Sequence, residues 1–125
     1  TPKFMIQAMT NKNITVDGGK QIFDFVHLDD ATDGVVKLVD KIISKKIKAK
    51  TFHFVTGKGT SIMELAKKII KTTKSDSKIE IRKPRDYDVN HFVGDPKHSK
   101  KVLGWKAKIS LENGLKLYFK EMEKI

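Results

Sequence analysis

A chain of 125 residues with 38% hydrophobic and 33% charged side chains has material for one modest core. It holds no cysteine, which excludes a disulfide framework and a thiolate metal site, and no apolar run approaches the roughly 20 residues of a membrane span. The formal net charge of +11 favours anionic partners, from a nucleotide diphosphate to nucleic acid.

The lysines fall along helices and loops: Lys41, Lys45, Lys46, Lys48 and Lys50, then Lys67, Lys68, Lys71 and Lys74, then Lys97, Lys100 and Lys101. Such spacing reads as solvated helix faces more readily than as a nucleic-acid stripe. The absence of cysteine fits a reducing, cytoplasmic compartment. Thr1-Pro2-Lys3-Phe4 has neither an initiator methionine nor the apolar core of a signal peptide, and reads as a start in mid-protein.

In chain order, Phe4, Ile6, Ala8 and Met9 predict a short helix over 3–11, and Ile14-Thr15-Val16 a β segment. Asp17-Gly18-Gly19 is a turn that calls for positive φ. Ile22–Leu28 reads as a strand, and Asp29-Asp30 as the acidic start of a helix reaching about Ser44. Val35, Val36, Val39, Ile42 and Ile43 share one face of that helix. Thr51–Val55 reads as a strand and Gly57-Lys58-Gly59 as a turn. Ser61 and Glu64 have the spacing of a capping box, with Ile62, Leu65, Ala66, Ile69 and Ile70 following at helical intervals. Lys78–Arg82 alternates as a strand.

The middle of the chain is thus strand–helix–strand–helix–strand, for which parallel strands with right-handed crossovers are expected. Residues 83–94 read as a loop. Asp95 caps a short helix with Pro96 at its first position, and Gly104 gives that helix a left-handed stop. Ser110 opens a last helix with Leu111, Leu115, Tyr118, Met122 and Ile125 on one stripe. Trp105 is expected to anchor the short helix on the body.

The order of several short motifs resembles the C-terminal part of extended short-chain dehydrogenases/reductases, the NAD-dependent nucleotide-sugar epimerases and dehydratases. The motifs are Gly19–Asp30, Phe52–Ile62, Arg85–Asp88, Asp95–His98, Leu103–Trp105 and Ser110–Leu115, which together cover nearly the whole chain. The resemblance implies an α/β fold, a small mixed or parallel sheet flanked by helices, with residues 1–125 forming one substrate-binding unit. It implies a nucleotide-diphosphate sugar as ligand, NAD(P) in the intact enzyme, and an upstream Rossmann half as partner. It also places Arg85 at the diphosphate, Asp88 beside it as its anchor, Thr15 and Val16 along the nucleobase, and Gln21 and Phe25 nearby.

Three residues depart from the family pattern: Phe23 where an arginine precedes Asp-Phe, Tyr87 where glycine precedes Asp88, and His53 where asparagine is usual. The chain also contains no Gly-x-x-Gly-x-x-Gly loop to cradle a pyrophosphate. No Tyr-x-x-x-Lys pair occurs to serve as acid/base, since Tyr87 and Tyr118 are followed by His91 and Met122 at that spacing. The chain is therefore expected to bind no NAD and to perform no epimerisation, elimination or hydride transfer alone.

A guanidinium suits a phosphate because it donates two parallel hydrogen bonds; the plain alternative for Arg85 is an exposed partner of Asp86 and Asp88. Thr56–Ser61, a glycine turn ahead of a helix, could hold an anion but reads better as an ordinary turn. His27, His53, His91 and His98 have no metal-ligand spacing. Two other functions stay open: a basic nucleic-acid module, supported by net charge alone, and an interaction domain docking through its final helix, with self-association possible.

Overall fold

The computed structural model describes residues 1–48 and 51–125; Ala49 and Lys50, the latter one of the basic stretch, lie outside the described residues. In order, the elements are α1 (Pro2–Met9), β1 (Ile14–Asp17), β2 (Ile22–Asp24), α2 (Leu28–Ile43), β3 (Gly59–Ser61), α3 (Ile62–Thr73), β4 (Ile79–Arg82), β5 (His91–Phe92), α4 (Lys97–Leu103) and α5 (Leu111–Glu123).

β1 and β4 pair in parallel, with Ile14 opposite Ile79 and Val16 opposite Ile81. β1 shows the two-residue period of a half-buried strand: Ile14 and Val16 are fully buried, while Thr15 and Asp17 lie on the other face. The buried side packs on Met5 and Ala8 of α1, Leu65, Ala66 and Ile69 of α3, and Leu115 of α5. Helices thus flank a small sheet, and this is the α/β arrangement expected from the sequence.

The local signals at helix ends hold. Ser61 Oγ accepts from the Glu64 N–H at 3.1 Å, and the Glu64 carboxylate accepts from the Ser61 N–H at 2.9 Å. These bonds, the backbone one first, hold the Glu64 carboxyl below its ordinary range. Gly104 ends α4 with φ of 64°. The start of α4 departs from the sequence reading: Pro96 is the N-cap and not the first helical residue, no side chain caps the helix, and Asp95 lies one residue further out, where it accepts from the Lys97 N–H at 2.9 Å. Trp105 is fully buried, donates from Nε1 to the Asp30 carbonyl at 2.8 Å and meets Phe54 edge-on. It anchors the chain after α4, as its sequence position suggested.

The strands differ from the sequence reading. β2 stops at Asp24 instead of Leu28, because the Asp24 side chain turns to collect N–H groups from two other segments. Thr51–Val55 joins no ladder among the described residues. The strand that forms instead is β3, which begins inside the expected turn and pairs antiparallel with β2. Gly59 permits that pairing, since a Cβ there would sit 2.6 Å from the Ile22 side chain. His91–Phe92, read as loop, adds to the other edge of β2 in parallel. The three-stranded sheet is therefore mixed, β3-β2-β5, not an all-parallel set.

α2 also starts differently. His27 is its cap, with Nδ1 accepting from the Asp29 N–H at 3.2 Å. Asp30 is buried and accepts from the Lys108 and Ile109 N–H groups at 3.0 and 2.8 Å. On its inner side α2 lays Gly34 against the Phe54 ring, where a Cβ would meet ring carbon at 2.4 Å. Its apolar side is uncovered: Val35, Val36, Val39, Ile42 and Ile43 are 41–74% exposed. On α5 the stripe packs from Leu111 through Met122, and Ile125 is fully exposed.

Candidate functional site

The site grows from the end of β1. Asp17 closes the strand, the Gly18 N–H reaches across to the Arg82 carbonyl at 3.0 Å, and Gly18 and Gly19 turn the chain with φ of 76° and 90°. This turn directs the chain into Gln21, which is buried. Gln21 Oε1 accepts from the Gly19 N–H at 2.8 Å. Its Nε2 donates to the Asp17 carbonyl at 3.0 Å and to Asp88 Oδ2 at 3.4 Å. Asp88 in turn takes Arg85 in a two-point grip, Nε at 3.1 Å and Nη2 at 2.9 Å.

Arg85 Nε also lies 3.9 Å from Asp17 Oδ2, and its guanidinium carbon sits 5.3 Å from the centre of the Tyr87 ring. The Asp88 hydrogen bond and then its charge, with smaller help from Tyr87, raise the Arg85 pKa above its ordinary value. A guanidinium has five N–H donors, and Asp88 engages two faces of the fork, so donors remain for a further oxyanion. The arrangement holds a cation in a fixed pose at the surface, with carboxylates behind it.

The other expected residues divide. Thr15 shares the outward face of β1 with Asp17, and its Oγ1 accepts from Gln7 Nε2 at 3.3 Å. Val16 sends its side chain into the core, so only its backbone is available to a ligand. Phe25 packs on the core, meets Phe23 edge-on, and lines a cavity that Arg85, Asp88, Gln21 and Thr15 do not line. Sequence reasoning passed over Asp17 and Tyr87 as neighbours of Arg85. An acid before a Gly-Gly turn, and an aromatic within two residues of the arginine, were the available signals.

Asp24 was also missed. Its carboxylate accepts from the Thr56 N–H at 2.9 Å, the Thr56 hydroxyl at 2.5 Å, the Gly57 N–H at 2.8 Å and the Gly94 N–H at 3.3 Å. The glycine turn ahead of α3 does bind an anion, but the anion is the protein's own. That turn therefore offers no cradle for a dinucleotide pyrophosphate, and the residues present do not fit NAD there. Among the described residues, no three His, Asp or Glu side chains converge to hold a metal, and no helix is long and apolar enough to cross a membrane.

Residues 2–118 match the family model described as GDP-mannose 4,6 dehydratase. A putative UDP-arabinose 4-epimerase of Arabidopsis thaliana is 34% identical over 104 residues, covering 82% of this chain and 24% of the relative. The UDP-glucose 4-epimerase of Caenorhabditis elegans is 32% identical over 99 residues, covering 78% of this chain and 28% of the relative. Among solved structures, the UDP-glucose 4-epimerase of Thermotoga maritima, crystallised with UDP-glucose, superposes with a TM-score of 0.89 at 29% identity. It takes in 97% of this chain but 38% of its own. The chain spans about a quarter of the length of the curated relatives it matches. With a family model over nearly its whole length and epimerase structures on its fold, the chain belongs to the NAD-dependent epimerase/dehydratase family of extended short-chain dehydrogenases/reductases.

Proposed function

We propose that this chain is the part of a nucleotide-sugar epimerase or dehydratase that grips the nucleotide diphosphate, while a separate NAD-binding half supplies the redox chemistry. The observation that carries the reading is Arg85, fixed by Asp88 and backed by Asp17 at the open end of β1. In this reading Arg85 meets the diphosphate, and Asp88 and Gln21 position it. The backbone of Thr15 and Val16 borders the nucleobase, along the edge of β1 away from β4. Phe25 plays a lesser part. NAD(P) binds in the intact enzyme and not to this chain, which contains neither Tyr-x-x-x-Lys nor the glycine-rich loop. The relatives include epimerases and decarboxylases, and a grip on the nucleotide serves either reaction.

Calorimetric titration with UDP-glucose, UDP, uridine and glucose tests this. UDP-glucose and UDP should bind saturably and similarly, uridine weakly and glucose not at all. Uridine binding as tightly as UDP would remove the diphosphate from the account, and absence of saturable UDP binding would end it.

The same reading gives the bare face of α2 a role as the surface that packs on the NAD-binding half, with exposed Val39 and Ile42 near its centre. Without that half the face should pair with itself. Light scattering should show mass rising with concentration for this chain, and Val39→Glu with Ile42→Glu should restore a monomer. A monomer at all concentrations for the unaltered chain would remove the proposed role of α2.

A further inference from the structure

A cavity of about 630 Å³ opens between the turn after Val55, the segment joining α4 to α5, and the first turn of α5. Its volume falls in the range of roughly 300–1,000 Å³ that small-molecule sites occupy. The floor and walls are apolar, built from Phe25, Val55, Trp105, Ile109 and Leu111. Around them stand Lys58, Lys68, Lys97, Lys100, Lys106 and Lys108, drawn from four separate stretches of chain. The carboxylate in the lining is Glu112, and it is already paired with Lys68.

The sequence scatters its lysines, and solvated faces were the expectation; the fold gathers six of them about one concavity with an unbalanced positive charge. The amino-terminal turn of α5 adds the positive end of a helix of 13 residues. Ammonium groups around one concavity repel one another, and a multiply charged anion relieves the repulsion more than scattered monovalent counterions do. The apolar floor adds a requirement that inorganic phosphate does not meet. It favours a ligand with a planar or apolar body as well as a charged end.

We propose that this cavity binds an organic polyphosphate of nucleoside triphosphate type, with the phosphates at the lysine rim and the base against the Phe25 side. It is separate from the Arg85 cluster, with which it shares no lining residue, and it does not depend on the function proposed for that cluster. Its place against α5 and the segment after α4 suits a modulating site better than a reacting one, since the carboxylate in its lining, Glu112, is already tied to Lys68.

The test is titration of the chain with ATP and with inorganic triphosphate, followed by calorimetry and by the emission of Trp105, the single tryptophan and a wall of the cavity. ATP should saturate, change Trp105 emission and bind more tightly than inorganic triphosphate. Lys97→Gln with Lys100→Gln should weaken ATP by about tenfold or more, since each lost charge-assisted contact is a substantial fraction of such an affinity. Lys41→Gln with Lys45→Gln removes the same charge elsewhere and should leave ATP binding nearly unchanged. Lys97 and Lys100 are exposed on α4, while Lys41 is half-buried in the last turn of α2 and Lys45 is exposed just beyond it, and circular dichroism checks that each variant keeps its fold.

Three results would overturn the proposal: no saturation, equal loss in the two lysine pairs, or loss in Arg85→Ala with retention in the cavity pair. Inorganic triphosphate binding as tightly as ATP would overturn the organic part. UDP titrations of the same variants keep the two sites apart. UDP that responds to Lys97 and Lys100 but not to Arg85 would refute the Arg85 reading and leave the cavity standing.

Discussion

Arg85→Ala is expected to weaken UDP binding about 10- to 100-fold, the effect of removing charge-assisted hydrogen bonds to a phosphate. Arg85→Lys should recover only part of this, because an ammonium keeps the charge but not the planar fork. Asp88→Asn should fall between Arg85→Lys and the unaltered chain. It leaves the guanidinium in place but loosens its two-point anchor at 2.9 and 3.1 Å. The order of the three variants separates a phosphate ligand from a surface ion pair. Exposed ion pairs contribute little to stability, so Arg85→Ala should scarcely change thermal melting while changing UDP affinity strongly. Unaltered UDP affinity in Arg85→Ala would move the diphosphate elsewhere on the molecule.

The largest stability effect belongs to Trp105. Trp105→Ala should cost about 3–5 kcal/mol, the range for deleting a large buried aromatic side chain. The indole is fully buried, stacks edge-on with Phe54 at 5.1 Å and donates to the Asp30 carbonyl. Trp105→Phe keeps most of the ring volume but leaves that carbonyl without its N–H, and should cost about 1–3 kcal/mol. Urea denaturation measures both. Near-equal losses in the two variants would mean that the hydrogen bond to Asp30, and not packing, holds the segment after α4.

What the sequence revealed follows from how far each interaction reaches. The capping box at Ser61 and Glu64, the left-handed stop at Gly104 and the alternation of β1 are settled within a few residues, and each was legible. Asp30 was read as a simple helix-start acid because its partners, Lys108 and Ile109, are distant in sequence. β3 and β5 are too short to show a period, and both form only because β2 lies between them. Thr51–Val55 alternates like a strand but finds no ladder among the described residues, so its pattern alone misled. Arg85 and Asp88 were named from motif order. Their neighbours Asp17 and Tyr87 needed the turn at Gly18 and Gly19 to be built first. Phe25 was named from its motif position, yet it lines the other cavity.

The loop bearing Arg85 is fixed at both ends. At one end Arg82 is the last rung of β4 and its carbonyl receives Gly18. At the other, the Ile22 N–H meets the Asn90 carbonyl, β5 lies on β2, and Gly94 reaches Asp24. Ordering a free loop costs about 1–2 kcal/mol per residue in backbone entropy, and here the fold has met much of that cost before any ligand arrives. Association at Arg85 should accordingly be quick, governed by diffusion and by the pull of a chain of net charge +11 on an anion. Differences among nucleotides will then reside in how long each one stays.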